Sequence, residues 1–342
     1  MLVKQNTDIV QTDGAVVWCK LESVLEPLFC VLERVRLRVP FLAISPWSKG
    51  GYVNSQVFDH TSVIQFIERR FGVKEANISP WRRAVCGDLT SCFNFANPND
   101  KKPTLPSTDP FLPPAVQLAE GGNYNSFVPD VGSVMLGIPQ QEQGIRPAKA
   151  LPYEMDVRAA VGASNVVLTF YNTGQATVVF QVRSGIASDL VRTYTVEPGK
   201  QLSGTWSGSA YDLSVYGPNG FVRYFKGSTG FGAPALRIES TYGTDGYGSI
   251  NWKITNALPA HTAITLEVTV VDAYTGNSVT QAVRPGQGFG NELSLEQFFG
   301  WYDLIVTVAG HPNFNYRLGG HVETGRDSFS DPAMGGLVTL QG

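Results

Sequence analysis

Short alternating runs of apolar and polar residues fill the second half of the chain, from residue 151 onward. Alternation with a period of two, broken by turns rich in Gly, Pro and Asn, is typical of β-strands that bury one face. The pattern predicts strands at 166–171, 176–183, 190–196, 211–216, 221–226, 236–242, 248–255, 263–272, 278–284, 302–309 and 316–323. We therefore expect this half to be all-β and antiparallel.

The strand series occurs twice, which indicates an internal repeat. The matching segments are LTFYNT (168–173) with WKITNA (252–257), VEPG (196–199) with VRPG (283–286), and AYDLSV (210–215) with WYDLIV (301–306). Each unit has the size and strand number of a small antiparallel β-sandwich. We place one sandwich at 151–230 and a second at 235–325, followed by a tail at 326–342. The repeated Tyr-Asp-Leu predicts strands that start with a buried tyrosine, Tyr211 and Tyr302.

Residues 38–96 follow a different pattern. A short apolar run at 41–44 predicts a buried parallel strand. The Gly-rich loop at 45–51 follows the carboxyl end of this strand, which is the edge of an open α/β sheet where ligands bind. The order of strand and loop predicts one piece of an α/β domain.

Two helices are predicted after that loop. Asp59 is a good N-cap for a helix that runs through Arg70, and Gly72 closes it. Ser79 followed by Pro80 opens a second, shorter helix, because proline is favoured at the first helical position. Both helices complete the α/β piece.

Two stretches lack a clear pattern, 1–37 and 97–150. The first contains a helix-like run at 21–35 that Pro27 interrupts. Two interpretations stay open for it: a native helix packed on the α/β piece, or a segment translated from a displaced reading frame. Ten of the chain's 21 prolines lie in or directly beside the second stretch. This composition predicts an extended connector with room for one brief helix at 115–120.

Composition and charge exclude some classes of protein. The chain is 43% hydrophobic and 16% charged, as expected of a folded domain protein. Its net charge of −3 does not favour a nucleic-acid partner. No apolar run is long enough to span a bilayer. The first residues, MLVKQNTD, lack the signal-peptide pattern, so the chain as written is expected in the cytoplasm.

The four cysteines, Cys19, Cys30, Cys86 and Cys92, do not form a disulfide framework or a zinc-site spacing. We expect free, buried thiols. A Cys86–Cys92 disulfide is the alternative.

Several sequence motifs carry a family resemblance. They are RVP (38–40), SPWSKGG (45–51), VNSQVFDHTS (53–62), NISPWRR (77–83), PQQEQGIRPAKALPYE (139–154), GHVETGR (320–326) and SDPAMG (330–335). Together they resemble the end of the catalytic domain and the C-terminal modules of bacterial phosphocholine-preferring phospholipases C. These enzymes form an acid-phosphatase-like family within the alkaline-phosphatase superfamily. The resemblance implies an α/β phosphoesterase remnant followed by two antiparallel β-sandwich repeats. Residues 321–326, inside the end motif, are expected to pack back onto the α/β part.

The resemblance also implies an activity. It is hydrolysis of phosphatidylcholine or sphingomyelin to phosphocholine plus diacylglycerol or ceramide, with choline phospholipid or a membrane surface as partner. The family's nucleophile and acidic ligands lie upstream of the portion that matches, so we expect a truncated chain, and whether it is active alone stays open. A divalent metal is possible in the complete enzyme, and no ligand set is visible here. The resembled family is secreted or periplasmic.

His60 and Asp59 are the candidate catalytic residues, as groups at the edge of the site. His60 fits a phosphate-contacting or metal-ligating role. The alternative is a structural histidine at a helix start. For Asp59, an N-cap role competes with that of an acid or base.

Four residues are candidates for substrate binding. Trp47, Tyr52 and Trp81 could form an aromatic cage around the quaternary ammonium of choline, and Arg82 could bind a lipid phosphate. Packing of the aromatic rings and a solvated helix face for Arg82 are the alternatives.

Two other functional hypotheses stay open. One is a non-catalytic remnant whose β-modules bind a lipid surface, a glycan or a protein. Exposed aromatic residues at one end of the sandwiches would favour it. The other is the product of a broken gene. An incomplete α/β piece must expose apolar surface that a whole domain would bury, so we also expect residues 38–96 alone to be poorly soluble.

Overall fold

The computed structural model describes residues 15–21, 37–102, 104, 107 and 143–341, and only the backbone of 15–21 and 37–40. The strands are β1 Ala15–Leu21, β2 Leu37–Ala43, β3 Val53–Phe58, β4 Pro147–Ala148, β5 Met155–Val161, β6 Asn165–Asn172, β7 Val178–Ser184, β8 Arg192–Val196, β9 Lys200–Ser207, β10 Ala210–Tyr216, β11 Val222–Ser228, β12 Leu236–Gly243, β13 Ser249–Asn256, β14 Leu266–Asp272, β15 Ser278–Val283, β16 Gly288–Ser294, β17 Trp301–Val308, β18 Asn315–His321 and β19 Ser328–Phe329. The helices are α1 His60–Phe71 and α2 Pro80–Val85, with 3₁₀ turns at Thr90–Cys92, Ala260–Thr262 and Glu296–Phe298.

The α/β part contains a mixed sheet in the order β19-β4-β3-β1-β2. Strand β3 is parallel to both β1 and β4, whereas β2 and β19 are antiparallel to their neighbours. A strand is present at 41–43, but the prediction that it is parallel and buried is wrong. The run lies in β2, an antiparallel strand at the sheet edge, and Ile44 just beyond it is 84% exposed. An edge strand has one neighbour only, so part of its apolar run stays uncovered.

Strands β1 and β3 were not predicted. Strand β1 lies within the segment 1–37, where it pairs with β2 on one side and β3 on the other. The predicted helix-like run at 21–35 starts on the last residue of β1, and the rest of it lies outside the described residues. The brief helix predicted at 115–120 also lies outside them.

Both predicted helices are confirmed, with their caps. The Asp59 side chain accepts a hydrogen bond from Thr61 N at 2.8 Å, and the Ser62 hydroxyl accepts one from Asp59 N at 3.0 Å. Gly72 ends α1 in the left-handed region at φ 72°, where glycine is favoured. Ser79 caps α2 by accepting from Arg82 N at 3.2 Å.

The apolar face of α1 is largely open to solvent. Val63, Ile64, Ile67 and Phe71 are all exposed, and Phe71 reaches 69%. The small core beneath the helix consists of Ala43, Phe58, Leu89 and Cys92. The apolar spacing in the sequence predicted the helix correctly, but described residues do not cover this face.

The β part contains two sets of seven strands in the same order. The first, second and fifth strands of each set form a three-stranded sheet, β5-β6-β9 and β12-β13-β16. The other four strands of each set join in one eight-stranded sheet, β15-β14-β17-β18-β11-β10-β7-β8. The predicted class, an α/β piece followed by antiparallel β-sandwich repeats, is confirmed.

The two repeats meet at their last strands. β11 and β18 pair antiparallel, with Tyr224 opposite Arg317, and buried residues of both repeats form one continuous core. Strands β5, β9 and β16 were missed by the sequence pattern. In β9 and β16 most residues are exposed, so these strands lack the apolar alternation that marks the others.

Candidate functional site

The candidate site lies where β3 passes into α1. Phe58 ends the strand with a buried side chain, and Asp59 and His60 follow directly. Since β3 is parallel to β1, this is a carboxyl edge of parallel strands, the position at which open α/β sheets bind ligands. The chain order of strand, cap and helix therefore brings two titratable groups to that edge.

Asp59 is buried and already fully bonded. Besides its backbone cap bond, its carboxylate accepts a hydrogen bond from Thr61 Oγ1 at 2.5 Å and forms an ion pair with Arg82. Arg82 is part-exposed, so the pair ties the start of α1 to α2 at the protein surface. This geometry fits the capping interpretation. A catalytic role for Asp59 stays a prediction.

His60 is the first residue of α1, and its side chain is exposed. Among the residues that the structure describes, none forms a hydrogen bond or ion pair with its ring. An unbonded imidazole next to a sheet edge is able to meet a phosphate oxygen or to move a proton. Its role also stays a prediction.

The three aromatic candidates have separate partners. The exposed Trp47 ring lies 6.1 Å from that of Phe95, and Trp81 Nε1 donates a hydrogen bond to Thr195 Oγ1 at 3.1 Å. Lys149 Nζ lies 3.9 Å from the centroid of the Tyr52 ring. Within the described part of the chain no ring contact joins any two of these three.

The lysine over Tyr52 bears on the proposed choline cage. The ammonium already makes the cation–π contact that a quaternary ammonium would make. Choline could use the Tyr52 face only by displacing Lys149. The Lys149 ammonium also pairs with Asp327 at 3.0 Å, which holds it in place.

The Gly-rich loop at 45–51 is held by packing. Buried Ser48 donates to Ala43 O at 2.6 Å and accepts from Ser45 N at 2.9 Å. A Cβ on Gly50, at φ 127°, would lie 2.7 Å from the Tyr52 ring. Glycine at position 50 therefore serves the shape of the loop itself.

A partly buried polar network around Asn54 was missed by sequence reasoning. Asn54 Nδ2 donates to Ser91 Oγ at 2.9 Å, and Ser91 donates to Gln56 Oε1 at 2.6 Å. These bonds tie β3 to the 3₁₀ turn at Thr90–Cys92. Burial raises the pKa of the Cys92 thiol there to about 12. The partners are more than thirty residues apart in sequence, so no local pattern signals the network.

A second missed contact clamps the two helices. Arg83 donates two hydrogen bonds, each of 2.8 Å, to the Glu68 carboxylate. These bonds lower the pKa of Glu68 to about 2. Parallel bonds of this kind are the strong form of an Arg–carboxylate pair.

The end motif at 320–326 contacts the first repeat, and β19 directly after it joins the α/β sheet, so packing of the motif onto residues 38–96 stays a prediction. Glu323 accepts from Leu151 N at 3.0 Å and from Asn219 Nδ2 at 3.0 Å, and its carboxylate lies 2.9 Å from His321 Nδ1. Ser328, the first residue of β19, pairs with Ala148 of β4 in the α/β sheet.

The described residues do not fit a resident metal ion. No group of three His, Cys, Asp or Glu side chains lies close enough among them to hold one. At the edge beyond β3 only His60 is unengaged, because Asp59 is bonded to Arg82. We derive no step through a metal. Cys86 and Cys92 are buried, as predicted, and the alternative disulfide between them is not formed. None of the described helices is long and apolar enough to cross a membrane.

Two family models match the chain. The model described as "Bacterial phospholipase C, C-terminal domain" matches residues 147–228. The model "Phosphoesterase family" matches residues 7–74. The second match begins at residue 7, within the segment 1–37 that carries none of the motifs named above, and it includes all of β1, β2 and β3.

Three curated phospholipases C are similar to this chain over most of its length. It is 45% identical over 313 residues to the non-hemolytic phospholipase C of Burkholderia pseudomallei, which covers 87% of this chain and 43% of the relative. It is 44% identical over 318 residues to the non-hemolytic phospholipase C of Pseudomonas aeruginosa, covering 89% and 44%. The hemolytic phospholipase C of the same organism is 38% identical over 332 residues, covering 87% and 44%.

The chain thus spans less than half the length of these relatives. A solved structure from work on the receptor tyrosine kinase Torso aligns at 12% identity and a TM-score of 0.19, covering 55% of this chain and 76% of the other. That value supports no conclusion about the fold. The family matches and the relatives agree on one resemblance: the chain is similar to the C-terminal part of bacterial phospholipases C.

Proposed function

We propose that the protein acts as a phospholipase C, a phosphodiesterase that releases phosphocholine from phosphatidylcholine or sphingomyelin. Water supplies the hydroxyl group, the P–O bond to the diacylglycerol or ceramide oxygen breaks, and that oxygen takes the proton. The observation that carries the proposal is the 45% identity over 313 residues to a protein named non-hemolytic phospholipase C.

Within this reaction we propose a contact role for His60. It follows β3 at the carboxyl edge of the parallel strands and is exposed, so a phosphodiester can reach its ring. Arg82, part-exposed and held by Asp59, would stabilise charge on the phosphoryl oxygens. Trp47 offers an exposed aromatic face to the choline group. We assign no nucleophile to the described residues.

We also propose a division of the chain and a location. The centre of the α/β phosphoesterase piece is 38–96, and β1, β4 and β19 join its sheet from outside these bounds. The connector is 97–150, the β-sandwich repeats are 151–230 and 235–325, and the tail is 326–342. The repeated strand order supports the boundary between the two sandwiches. By resemblance to its family, the protein would act outside the cytoplasm, in the periplasm or the medium.

The test is hydrolysis of a chromogenic phosphocholine diester by the purified chain, with and without added divalent cations. We expect turnover that falls at least about 100-fold in His60→Ala, in the range of a lost acid–base group. His261→Ala is the matched control, because this exposed histidine lies in a 3₁₀ turn of the β part. No turnover from a folded sample, or equal turnover in both variants, would contradict the proposal for this chain.

The second candidate function is binding without catalysis by the β-modules. The observation that favours it is a group of exposed apolar side chains on loops at one end of the first repeat, among them Leu190 and Phe231. A chain that binds lipid vesicles but leaves the diester intact would support this candidate over hydrolysis.

A further inference from the structure

One end of the first β repeat collects several loops. Ser184 at the end of β7 pairs with Leu213, and Ala210 at the start of β10 pairs with Ser228 at the end of β11. The loops 185–191 and 229–235 therefore leave the sheet at the same end. These two loops are called the loop end below.

The loop end presents three large apolar side chains to solvent. Leu190 is 81% exposed, Val191 53% and Phe231 92%. Single exposed apolar residues are common on protein surfaces, but three large ones on two loops at the same end of one repeat favour an interaction site there.

Both loops are held by their own hydrogen bonds. Ser184 Oγ donates to Asp189 Oδ2 at 2.7 Å and accepts from Ile186 N at 3.1 Å, so the turn before Leu190 is fixed. In the other loop, Thr229 N donates to Ser209 O at 2.9 Å. The apolar side chains are thus presented by ordered turns.

The second repeat shows that the fold does not need this exposure. The loop between its third and fourth strands, 273–277, corresponds to 185–191. It is two residues shorter, and its Ala273 and Tyr274 are buried. Tyr274 donates to Asp331 at 2.7 Å, and Gln341 N donates to Ala273 O at 2.8 Å, so the tail covers this loop. None of the residues that the structure describes covers Leu190 and Val191 in this way.

The loop end faces away from the α/β part. Contacts with that part lie at the other end of the first repeat, where Val57 N donates to Tyr153 Oη at 3.0 Å and Trp81 to Thr195. Tyr153 immediately precedes β5, whose far end pairs Val161 with Val166 beside the loop end. Contact with the α/β part therefore does not explain why Leu190, Val191 and Phe231 are apolar.

Beside the loop end lies a cleft of about 240 Å³. Ser228 and Pro234 form one wall, and His311, Asn313 and Phe314 form the other. Phe231 belongs to the same loop as the first wall. A protruding apolar tip next to a polar cleft matches the layered chemistry of a bilayer, with acyl chains beneath headgroups.

We propose that the loop end inserts Leu190, Val191 and Phe231 into the interfacial layer of a lipid bilayer, with a lipid headgroup at the level of the cleft. The choice of choline lipid rests on the proposed function. Charge contributes little, because the chain carries −3 overall and Arg192 at the loop end is engaged. Its guanidinium lies over the Trp206 ring at 4.5 Å and donates to Thr205 O at 2.7 Å. Binding should therefore depend on apolar burial and resist salt.

The test is flotation of the full chain with phosphatidylcholine vesicles. We expect binding by the unaltered chain, a loss of roughly tenfold in partitioning for Leu190→Ser and for Phe231→Ser, and no flotation when both are changed. Leu202→Ser is the matched control, since Leu202 is 43% exposed on a strand of the same repeat. Flotation should be unchanged between about 0.1 and 0.5 M salt.

Phe231→Trp adds a direct report of insertion. The chain has six tryptophans of its own, so the signal is the difference between the spectra of the variant and of the unaltered chain. That difference emission should shift to shorter wavelength with vesicles and be quenched by lipids brominated in the acyl chain. An unaltered chain that stays in the aqueous phase, a double variant that floats normally, or an unshifted tryptophan would each overturn the inference. Hydrolysis of the water-soluble chromogenic diester separates the two proposals. Turnover without flotation refutes bilayer insertion alone, and flotation without turnover refutes the phospholipase activity alone.

Discussion

At the residue scale, two asparagines show how the repeat is built. Asn172 Nδ2 donates to Ala176 O at 2.9 Å and Val196 O at 2.8 Å. Asn256 Nδ2 donates to two carbonyls at 3.0 Å in the equivalent positions of the second repeat. Each amide is buried and joins the two sheets of its sandwich. Each one donates to two backbone carbonyl groups that would otherwise lack a hydrogen-bond donor.

Asn172→Ala and Asn256→Ala should each lower the free energy of unfolding by about 2 kcal/mol, because two buried carbonyls lose their donor. Chemical denaturation of the whole chain measures this. Asn277→Ala, at an exposed turn position, is the control and should change the free energy by less than about 0.5 kcal/mol. Unequal decreases in the free energy of unfolding for the two variants would show that this link between the sheets differs between the repeats.

Cys92 provides a second test at this scale. Burial raises the pKa of its thiol from 9.0 to about 12. At pH 8 its thiolate fraction should be roughly 10³-fold below that of an ordinary cysteine, and alkylation correspondingly slow. Between pH 7 and 10 the labelling rate should keep rising, whereas the rate of an ordinary thiol levels off near its pKa. Peptide mapping by mass spectrometry reads out the site, and the denatured chain is the control.

At the element scale, helix α1 depends on its first residues. The Asp59 carboxylate has two separable functions, the cap bond to Thr61 N and the ion pair with Arg82. A helix of twelve residues with an exposed apolar face gains little from packing, so its caps carry much of its stability.

Asp59→Asn keeps an oxygen for the cap and removes the charge, whereas Asp59→Ala removes both. We expect Asp59→Ala to be less stable than Asp59→Asn by about 1 kcal/mol, the usual value of an N-cap. Thermal unfolding followed by circular dichroism gives the order. Equal stability of the two variants would contradict the capping role, and loss of diester hydrolysis in a stable Asp59→Asn would instead support an acid–base role.

The elements that the sequence predicted are those with strong local signals. The caps at Asp59 and Ser79 and the alternation in β6 or β13 are readable because the residues that decide them are adjacent. Strand β16 was missed because it is a polar edge strand, and the neighbours of β2 were misjudged because sheet position depends on distant strands. Of the candidate site, the sequence could indicate His60 and Asp59. It could not indicate the Arg82 pair or the lysine over Tyr52.

At the scale of the whole molecule, the two repeats form one body. In the first repeat Tyr211 pairs with Gly227, and in the second repeat Tyr302 pairs with Gly320. Arg223 lies four residues before Gly227, and Tyr316 lies four residues before Gly320. Arg223 and Tyr316 therefore occupy equivalent positions in the two repeats. Each of the two reaches the tyrosine of the other repeat. Arg223 donates to Tyr302 Oη at 3.0 Å, and the hydroxyls of Tyr316 and Tyr211 lie 2.7 Å apart.

The junction of the two repeats, where β11 pairs with β18, is called the seam below. Arg223 is a fully buried residue of this seam. It also donates to Tyr242 Oη at 2.9 Å and lies 3.6 Å from the Asp156 carboxylate. Burial opposes its charge, but Tyr302, Tyr242 and Asp156 outweigh that effect and raise the pKa of the guanidinium. The cation is therefore kept at every accessible pH, and it links the start of one repeat to the strands of the other.

Because the sheet and the core cross the seam, residues 151–325 should unfold in a single transition, although the sequence indicates two modules. Calorimetry should give equal calorimetric and van't Hoff enthalpies. Arg223→Met should lower the free energy of unfolding by about 3 kcal/mol, because it leaves the buried Asp156 carboxylate with fewer partners. Tyr316→Phe, which loses one neutral hydrogen bond, should cost about 1 kcal/mol. Two separate transitions in the unaltered fragment, or a soluble and cooperative 151–230 alone, would show that the repeats are independent, since the isolated first repeat must expose the edge of β11.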